Sequence, residues 1–316
     1  METLKKLWKN EYFQTIITLI LLIAFVFGFW YIAQTVLRTE YPALAVASQS
    51  MLPTLNVGDL IIVQGASPEE INASYLTGDI VVFKDSRGDL FVHRAVRVEE
   101  INGEYWFTTK GDNVPGDKDQ FSPWPSSRLV GRVVGRIPWI GNFALILHSQ
   151  QNIYLFTVFI LILIVIFLFF PFETSQEEKE SGETLIFGIP LKTIYLIILN
   201  IFLIAIVIFG LWGTFTFWNP GAGSNAQGMY VTIYGMFSDV SFHKMHSLEA
   251  FLSQSFLTYT INCQLSDGLS QLQTGVPTFS WSQAAIILLI VLDSWNLVKF
   301  LRKQGKLKFR RGSDNV

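Results

Sequence analysis

The side chains that can act as a general base near neutral pH are few in this chain. Only four histidines occur in 316 residues: His93, His148, His243 and His246. His93 lies in the strand-like segment LFVHRAVRV. A single histidine on a strand is more often structural than catalytic, so neighbouring motifs have to decide its role. His243 and His246 would share one helix face, but no further ligand pattern accompanies them, and no metal site is predicted.

A second stretch, YPALAVASQSMLPT at residues 41–54, has two interpretations. Its Ala43-Leu44-Ala45 is typical of a signal-peptide end that another enzyme cuts, but the stretch could equally be the working part of an enzyme. Length separates the two, since the apolar core of a signal peptide has about 7–15 residues and a membrane span about 20. Phe13–Leu37 carries no charged residue, which favours a retained membrane anchor.

The composition indicates an integral membrane protein. Half of the residues are hydrophobic and 15% are charged, against about 25% charged in soluble domains. Three further apolar segments are Ile153–Phe172, Thr193–Trp212 within Leu185–Gly213, and Ala284–Leu301. We therefore predict about four transmembrane helices, with three as the alternative. Asp293 in the last segment is expected near an interface or facing neighbouring helices, because a charge at mid-span is costly.

The lysines and arginines place both termini in the cytoplasm. Lys5, Lys6 and Lys9 precede the first span, and a basic cluster follows the last. The expected divisions are a cytoplasmic N-terminus (1–12), a span (13–37), an extracytoplasmic β-rich domain (38–150), a span (151–172), an acidic cytoplasmic loop (173–184), a span (185–213), an outward segment of unknown role (214–281), a span (282–301) and a basic cytoplasmic tail (302–316).

Residues 38–150 have the pattern of a small, mostly antiparallel β domain. Five short runs rich in Val, Ile, Phe and Thr are separated by turn residues. The runs are Leu60–Val63, Asp79–Phe83, Leu90–Val98, Tyr105–Thr109 and Leu129–Val134. The single Cys263 excludes an intrachain disulfide and is expected to be a small buried apolar side chain.

Four short blocks follow the first apolar segment in order. They are SQSMLPTL at 48–55, GDIVV at 78–82, HRA at 93–95 and TKGDN at 109–113. Together they resemble the type I signal peptidases, membrane serine proteases that remove signal peptides after translocation. The resemblance covers roughly residues 43–140, and the histidine of the third block is typical of the archaeal and endoplasmic-reticulum branch.

The resemblance implies a serine protease site. Ser50 matches the family's nucleophile, whose hydroxyl is inert until a base takes its proton. His93 stands where the common bacterial branch has a lysine, and histidine, with a reference pKa near 6.5, is available as a base without desolvation. Lys84 and Lys110 are the alternative bases.

A histidine base usually has an acidic partner. Asp112 matches the family's first aspartate, but Lys118 occupies the position of the second. Either Asp117 or Asp119 must then substitute through a shift of the loop, and we prefer Asp119. The alternative for each of these aspartates is a structural role in an Asx-type turn.

The oxyanion donors that the resemblance implies are the backbone N–H of Ser50 and the hydroxyl of Ser48. The expected substrates are signal peptides with small residues at −1 and −3, received in shallow apolar pockets. Met51, Leu52 and Ile80–Val82 are candidates for those walls, and the alternative is that they belong to the core. The likeness of residues 43–47 to such a substrate raises the hypothesis of self-cleavage in trans near Ala45 or Ala47.

The expected partners are signal peptides of secreted and membrane preproteins, the lipid bilayer and the translocation machinery. No cofactor is expected, and no nucleic acid, because the chain has no large basic patch outside its tail. The expected location is a cell membrane, or the endoplasmic-reticulum membrane in a eukaryote. Two alternatives stay open: a membrane serine protease with a specialised envelope substrate, and a non-catalytic membrane scaffold. The joint presence of Ser50 and His93 argues against the scaffold.

Overall fold

The computed structural model describes residues 11–148, 185–186, 189–219, 229–264 and 272–304. Its α-helices are α1 (Glu11–Leu37), α2 (Gly141–His148), α3 (Leu191–Trp212), α4 (Met236–Met245) and α5 (Trp281–Lys303). Its strands are β1 (Ala43–Ala45), β2 (Leu60–Gln64), β3 (Ile80–Lys84), β4 (Leu90–Ile101), β5 (Glu104–Lys110), β6 (Trp124–Pro125), β7 (Leu129–Ile137), β8 (Leu185–Ile186), β9 (Ile189–Pro190), β10 (Thr214–Asn219), β11 (Met229–Tyr234), β12 (Glu249–Ser255), β13 (Thr258–Gln264), β14 (Leu272–Gln273) and β15 (Thr278–Phe279).

Helix α1 is an apolar rod that ends where the β domain begins. Its 27 residues make it about 40 Å long at 1.5 Å per residue, enough to cross a bilayer. The N–H of Gly65, directly after β2, donates to the C=O of Leu37 at 2.7 Å. A Cβ at position 65 would lie 2.1 Å from the carbonyl oxygen of Arg38, so glycine lets the sheet dock directly onto the end of the anchor.

Three helices in the described part of the chain are long and apolar enough to cross a membrane. They are Phe13–Leu37, Thr193–Trp212 and Trp281–Arg302. The predicted span Ile153–Phe172 and the acidic loop lie outside the described residues. Helices α3 and α5 pack together, and Asn200 Nδ2 donates to Asp293 Oδ1 at 3.2 Å. Asp293 therefore has a polar partner on a neighbouring helix, whereas the count of four spans and their orientation stay predictions.

The mostly antiparallel sheet is confirmed. Four of the five predicted runs lie within observed strands, namely β2, β4, β5 and β7, and the run Asp79–Phe83 overlaps β3, which begins one residue later at Ile80. The main sheet has the order β12-β13-β15-β7-β3-β4-β5-β6, with β1 and β7 beside β2, and β14 beside β13. Strand β3 has four successive buried residues, Ile80 to Phe83, which is typical of a strand covered on both faces. Because side chains alternate, Ile80 and Val82 enter one core cluster, and Val81 and Phe83 enter another.

The sheet does not end with residues 38–150. Strand β15 pairs in parallel with β7 at Thr278 and Arg136, and it also pairs antiparallel with β13. Val276, just before β15, is 6% exposed and packs in the same core cluster as Met51. Segment 214–281 was predicted to face outward and had no predicted role. Part of it is continuous with the β domain. Cys263 on β13 is free and buried, as predicted.

Candidate active site

Ser50 lies in the turn between β1 and β2, where its neighbours hold it in place. The side chain of Met51 is completely buried, and the Met51 C=O accepts from the N–H of Leu55 at 2.9 Å. The N–H of Asn113 donates to the Ser50 C=O at 2.8 Å. The backbone of this turn is therefore fixed on both sides of a half-buried serine hydroxyl.

Three of the predicted site residues form one hydrogen-bonded chain. Ser50 Oγ lies 3.0 Å from His93 Nε2, and His93 Nδ1 lies 2.6 Å from Asp119 Oδ2. His93 is 6% exposed and Asp119 is 4% exposed. These distances are within the range for hydrogen bonds, so Ser50, His93 and Asp119 have the arrangement that the nucleophile, base and acid of a serine protease require.

The two partners of His93 decide what its imidazole can do. An ionised Asp119 accepts the hydrogen on Nδ1, which leaves the lone pair of Nε2 directed at the Ser50 hydroxyl. The ring of Phe121 stacks on the imidazole with centroids 6.0 Å apart and planes 12° apart. The arrangement can accept a proton from Ser50 during attack and stabilise the resulting imidazolium.

Backbone contacts explain why Asp119 reaches His93. The N–H of Asp119 donates to the C=O of Thr109 at 2.8 Å, and its Oδ1 accepts from the N–H of Gly111 at 3.2 Å. A Cβ at position 111 would lie 2.7 Å from the Ser50 carbonyl oxygen and 3.1 Å from His93 Nε2. Gly111 is therefore required for the close approach of this loop to the site. This glycine is part of the TKGDN block, but its role in the close approach is visible only in the fold.

The other two candidate acids lie elsewhere. Asp112 receives hydrogen bonds from Arg94 Nε at 2.9 Å, Arg94 Nη2 at 2.8 Å and Thr54 Oγ1 at 2.5 Å. The Asp112 carboxylate therefore binds Arg94, which follows His93 on β4, and not the imidazole of His93. Asp117 is exposed to solvent. The partners that hold Asp112 are Arg94 and Thr54. Neither residue was predicted to belong to the site.

Ser48 lies next to the nucleophile. Its Oγ is 3.1 Å from Ser50 Oγ, and both hydroxyls are on the accessible side of the turn. A hydroxyl at this distance can reach the oxygen of a carbonyl under attack by Ser50, which is what a second oxyanion donor requires.

The alternative bases contact groups other than the Ser50 hydroxyl. Lys84 Nζ lies 3.6 Å from Glu40 and over the ring of Tyr41. Lys110 Nζ donates to the C=O of Gly111 at 3.4 Å and lies 5.3 Å from the centroid of the Tyr75 ring. The geometry therefore favours His93 as the base.

Most residues proposed as pocket walls belong to the interior. Met51, Val81 and Val82 are fully buried and Ile80 is 4% exposed, so their second interpretation, as core, describes their position. Partly exposed apolar side chains that pack on the same core cluster as Met51 include Leu44, Leu90 and Val92. These side chains are better placed to contact a bound peptide.

A buried charge cluster lies against the turn of residues 46–58, which carries the predicted nucleophile Ser50 and is called the nucleophile turn below. Arg136 on β7 is 3% exposed, and its Nη1 lies 3.2 Å from Asp59 Oδ2. Its Nη2 donates to the carboxylate of Asp239 on α4. Burial raises the pKa of Asp59 to about 6 although Arg136 opposes it. Burial also acts to raise the pKa of Asp239, but the charge of Arg136 and then the contacts of His243 lower that pKa to about 2.

The raised pKa of Asp59 predicts that the Asp59→Asn variant will have a different dependence of folding stability on pH. The pKa of Asp59 is higher in the folded protein than in an unfolded chain, so the folded state holds the proton more tightly. Asp59 therefore stabilises the fold at low pH, and about 2 kcal/mol of that stability is lost between pH 4.5 and 7. The Asn variant lacks this loss, so its melting temperature relative to wild type should rise across this pH range. A constant difference in melting temperature would contradict the assignment. Asp239 already titrates below this range.

Comparison with known proteins places the chain beside one group. The family described as signal peptidase, peptidase S26, matches residues 10–136. The signal peptidase complex catalytic subunit SEC11C of Homo sapiens is 30% identical over 156 residues, which cover 47% of this chain and 79% of that protein. The signal peptidase complex catalytic subunit sec11 of Dictyostelium discoideum is 30% identical over 160 residues, which cover 48% of this chain and 87% of that protein. The family match ends at Arg136, so β12, β13 and β15 lie beyond it.

Proposed function

The chain belongs to the signal peptidase family, peptidase S26, and is a serine peptidase; from this premise we propose that it removes N-terminal signal peptides from translocated preproteins. The observation that carries the proposal is the chain of hydrogen bonds from Ser50 through His93 to Asp119. This chain lies in a domain that is docked onto the end of an apolar helix. A membrane anchor beside the nucleophile suits a substrate whose own apolar segment lies in the bilayer.

The proposed reaction has two steps. His93 Nε2 takes the proton of the Ser50 hydroxyl as Oγ attacks the carbonyl carbon after the −1 residue. The Ser48 hydroxyl and the Ser50 N–H stabilise the oxyanion, and the imidazolium gives its proton to the leaving amine. Water, deprotonated by His93, then attacks the ester, which releases the signal peptide as its carboxylate and restores Ser50.

We propose that the β domain faces away from the cytoplasm and that both termini face it. The substrates reach the site as extended chains from the bilayer surface, and the translocation machinery is the expected neighbour. Small residues at −1 and −3 would contact partly exposed side chains such as Leu44, Leu90 and Val92, which pack on the core cluster that contains Met51. Such a site excludes large side chains by lack of volume.

Substitution at the −1 residue of a substrate tests this specificity. Purified protein in detergent should cut a model preprotein after its Ala-x-Ala sequence, as shown by mass spectrometry of both products. Phenylalanine in place of alanine at −1 should lower kcat/KM by at least about 100-fold, because overpacking a tight site is costly. The same substitution at −2 is the matched control and should have a much smaller effect. Equal cleavage of the −1 alanine and phenylalanine substrates would contradict the specificity. No cutting of any preprotein by folded protein would contradict the function.

A further inference from the structure

Arg136 joins the family-matching part of the chain to the part beyond it. From the first part, its Nη1 donates to the C=O of Thr54 at 3.2 Å and pairs with Asp59. From the second part, its Nε donates to Thr278 Oγ1 at 3.0 Å and its Nη2 donates to Asp239. The planar guanidinium offers its donors in a fixed fork, so the four acceptors together determine where it lies.

Thr54 is held a second time by another buried arginine. Its hydroxyl donates to Asp112 Oδ2, and Arg94 binds both oxygens of that carboxylate. Arg94 Nη2 also donates to the C=O of Thr274 at 3.1 Å. The C=O of Thr54 is therefore connected to residues beyond position 229 through Arg136, and its hydroxyl is connected to them through Asp112 and Arg94.

These connections reach the nucleophile. Thr54 and Ser50 belong to one short turn, in which Leu55 N–H donates to the C=O of Met51. Asp239 is 1% exposed and its Oδ2 also accepts from Tyr259 OH at 3.1 Å, so it has little freedom to move. If Asp239 no longer held Arg136, the guanidinium would be free to turn toward Asp59, and its bond to Thr54 would change. The 3.0 Å contact between Ser50 Oγ and His93 Nε2 lies at the other end of this turn.

We infer that the C-terminal segment, which comprises α4, β12, β13, β14 and β15, positions the nucleophile turn, with Asp239 and Arg136 as positioning residues. The inference rests on the proposed function, because its consequence is read on cleavage. It assigns a catalytic purpose to a segment outside the family match. The segment acts through Thr54 and does not itself touch the substrate.

The test compares Asp239→Asn and Arg136→Lys with wild type. Each replacement has approximately the size of the original side chain. Asp239→Asn removes the charge that pairs with Arg136, and Arg136→Lys removes the guanidinium donors. We expect kcat to fall by about 10- to 100-fold at an unchanged KM, because an error of about 1 Å in placement costs that much. Rates are expressed per folded protein, which removes any effect of stability alone. Ser241→Ala is the matched control, since Ser241 is an exposed residue of α4 whose hydroxyl donates to the C=O of Phe237 in the same helix at 3.0 Å.

Hydrogen–deuterium exchange over residues 46–58 gives a second measurement that does not need cleavage. We expect exchange there to be at least about tenfold faster in Asp239→Asn than in wild type and unchanged in Ser241→Ala. If Asp239→Asn does not fold, Tyr259→Phe, which removes one hydrogen bond to Asp239, should lower kcat by about threefold and speed the same exchange. Wild-type kcat and wild-type exchange in the folded variants would overturn the inference. If wild type itself fails to cut, the proposed function is wrong, and exchange alone decides the coupling.

Discussion

Replacing Ser50 with alanine will lower kcat for cleavage of a model preprotein by at least about 1,000-fold. Ser50 carries the hydroxyl that lies 3.0 Å from His93 Nε2, and alanine has no atom that can form the acyl bond. The side chain is half-buried and small, so folding should change by less than about 1 kcal/mol. Cleavage is measured in detergent by mass spectrometry of both products. Ser48→Ala is the matched control and should lose less, about 100-fold, because it removes one oxyanion donor.

His93→Ala should match the loss in Ser50→Ala, and the double variant should be no worse than either single variant. Residues that act as one unit show this lack of additivity. His93→Lys should also be inactive, because an ammonium beside the buried carboxylate of Asp119 is held in its charged form and cannot act as a base. Substantial cleavage by Ser50→Ala would place the nucleophile elsewhere. Full activity without His93 would move the base to a lysine.

The site residues could be predicted because they occur in short blocks at recognisable positions. Ser50 and His93 come from two such blocks, and the structure brings their side chains together. Both Asp117 and Asp119 are within one residue of the expected position, and Asp119 is preferred because its distance to the downstream Gly131-Arg132-Val133 segment fits the family better. The fold separates them, because the N–H of Asp119 bonds to Thr109 and turns its carboxylate toward His93, whereas Asp117 remains in solvent.

The strands of residues 38–150 were predictable for a different reason. Each has a local pattern of β-branched and aromatic residues between turns. Strands β3, β4 and β5 also pair antiparallel with strands that are their neighbours in the chain. Strand β15 has only two residues and pairs in parallel with β7, which comes 140 or so positions earlier. The ion pair of Arg136 with Asp239 joins residues separated by 103 positions. Neither leaves a local signal in the sequence, so the contacts of the C-terminal segment with the β domain could be found only from the fold.

The choice of acid leads to the second large effect. Asp119→Asn should lower kcat by about 100- to 10,000-fold while the protein stays folded. An asparagine keeps the shape but can donate to Nδ1 of His93, which favours the tautomer that lacks a lone pair on Nε2. The loss should come from kcat, because Asp119 is buried behind His93 and does not contact the substrate.

Asp112→Asn should mainly lower the stability of the fold. The side chains of Asp112 and Arg94 are 4% and 2% exposed and form a buried pair. Removing one charge leaves the other unpaired and should destabilise the fold by about 3–5 kcal/mol. The melting temperature should therefore fall in Asp112→Asn and stay nearly constant in Asp119→Asn. The rate per folded protein should fall more in Asp119→Asn than in Asp112→Asn, which acts on the rate only through Thr54, and Asp117→Asn should match wild type in both measurements. If Asp119→Asn kept the wild-type rate while Asp117→Asn lost it, the acid would be Asp117, and the loop around Gly111 would have to be arranged differently during catalysis.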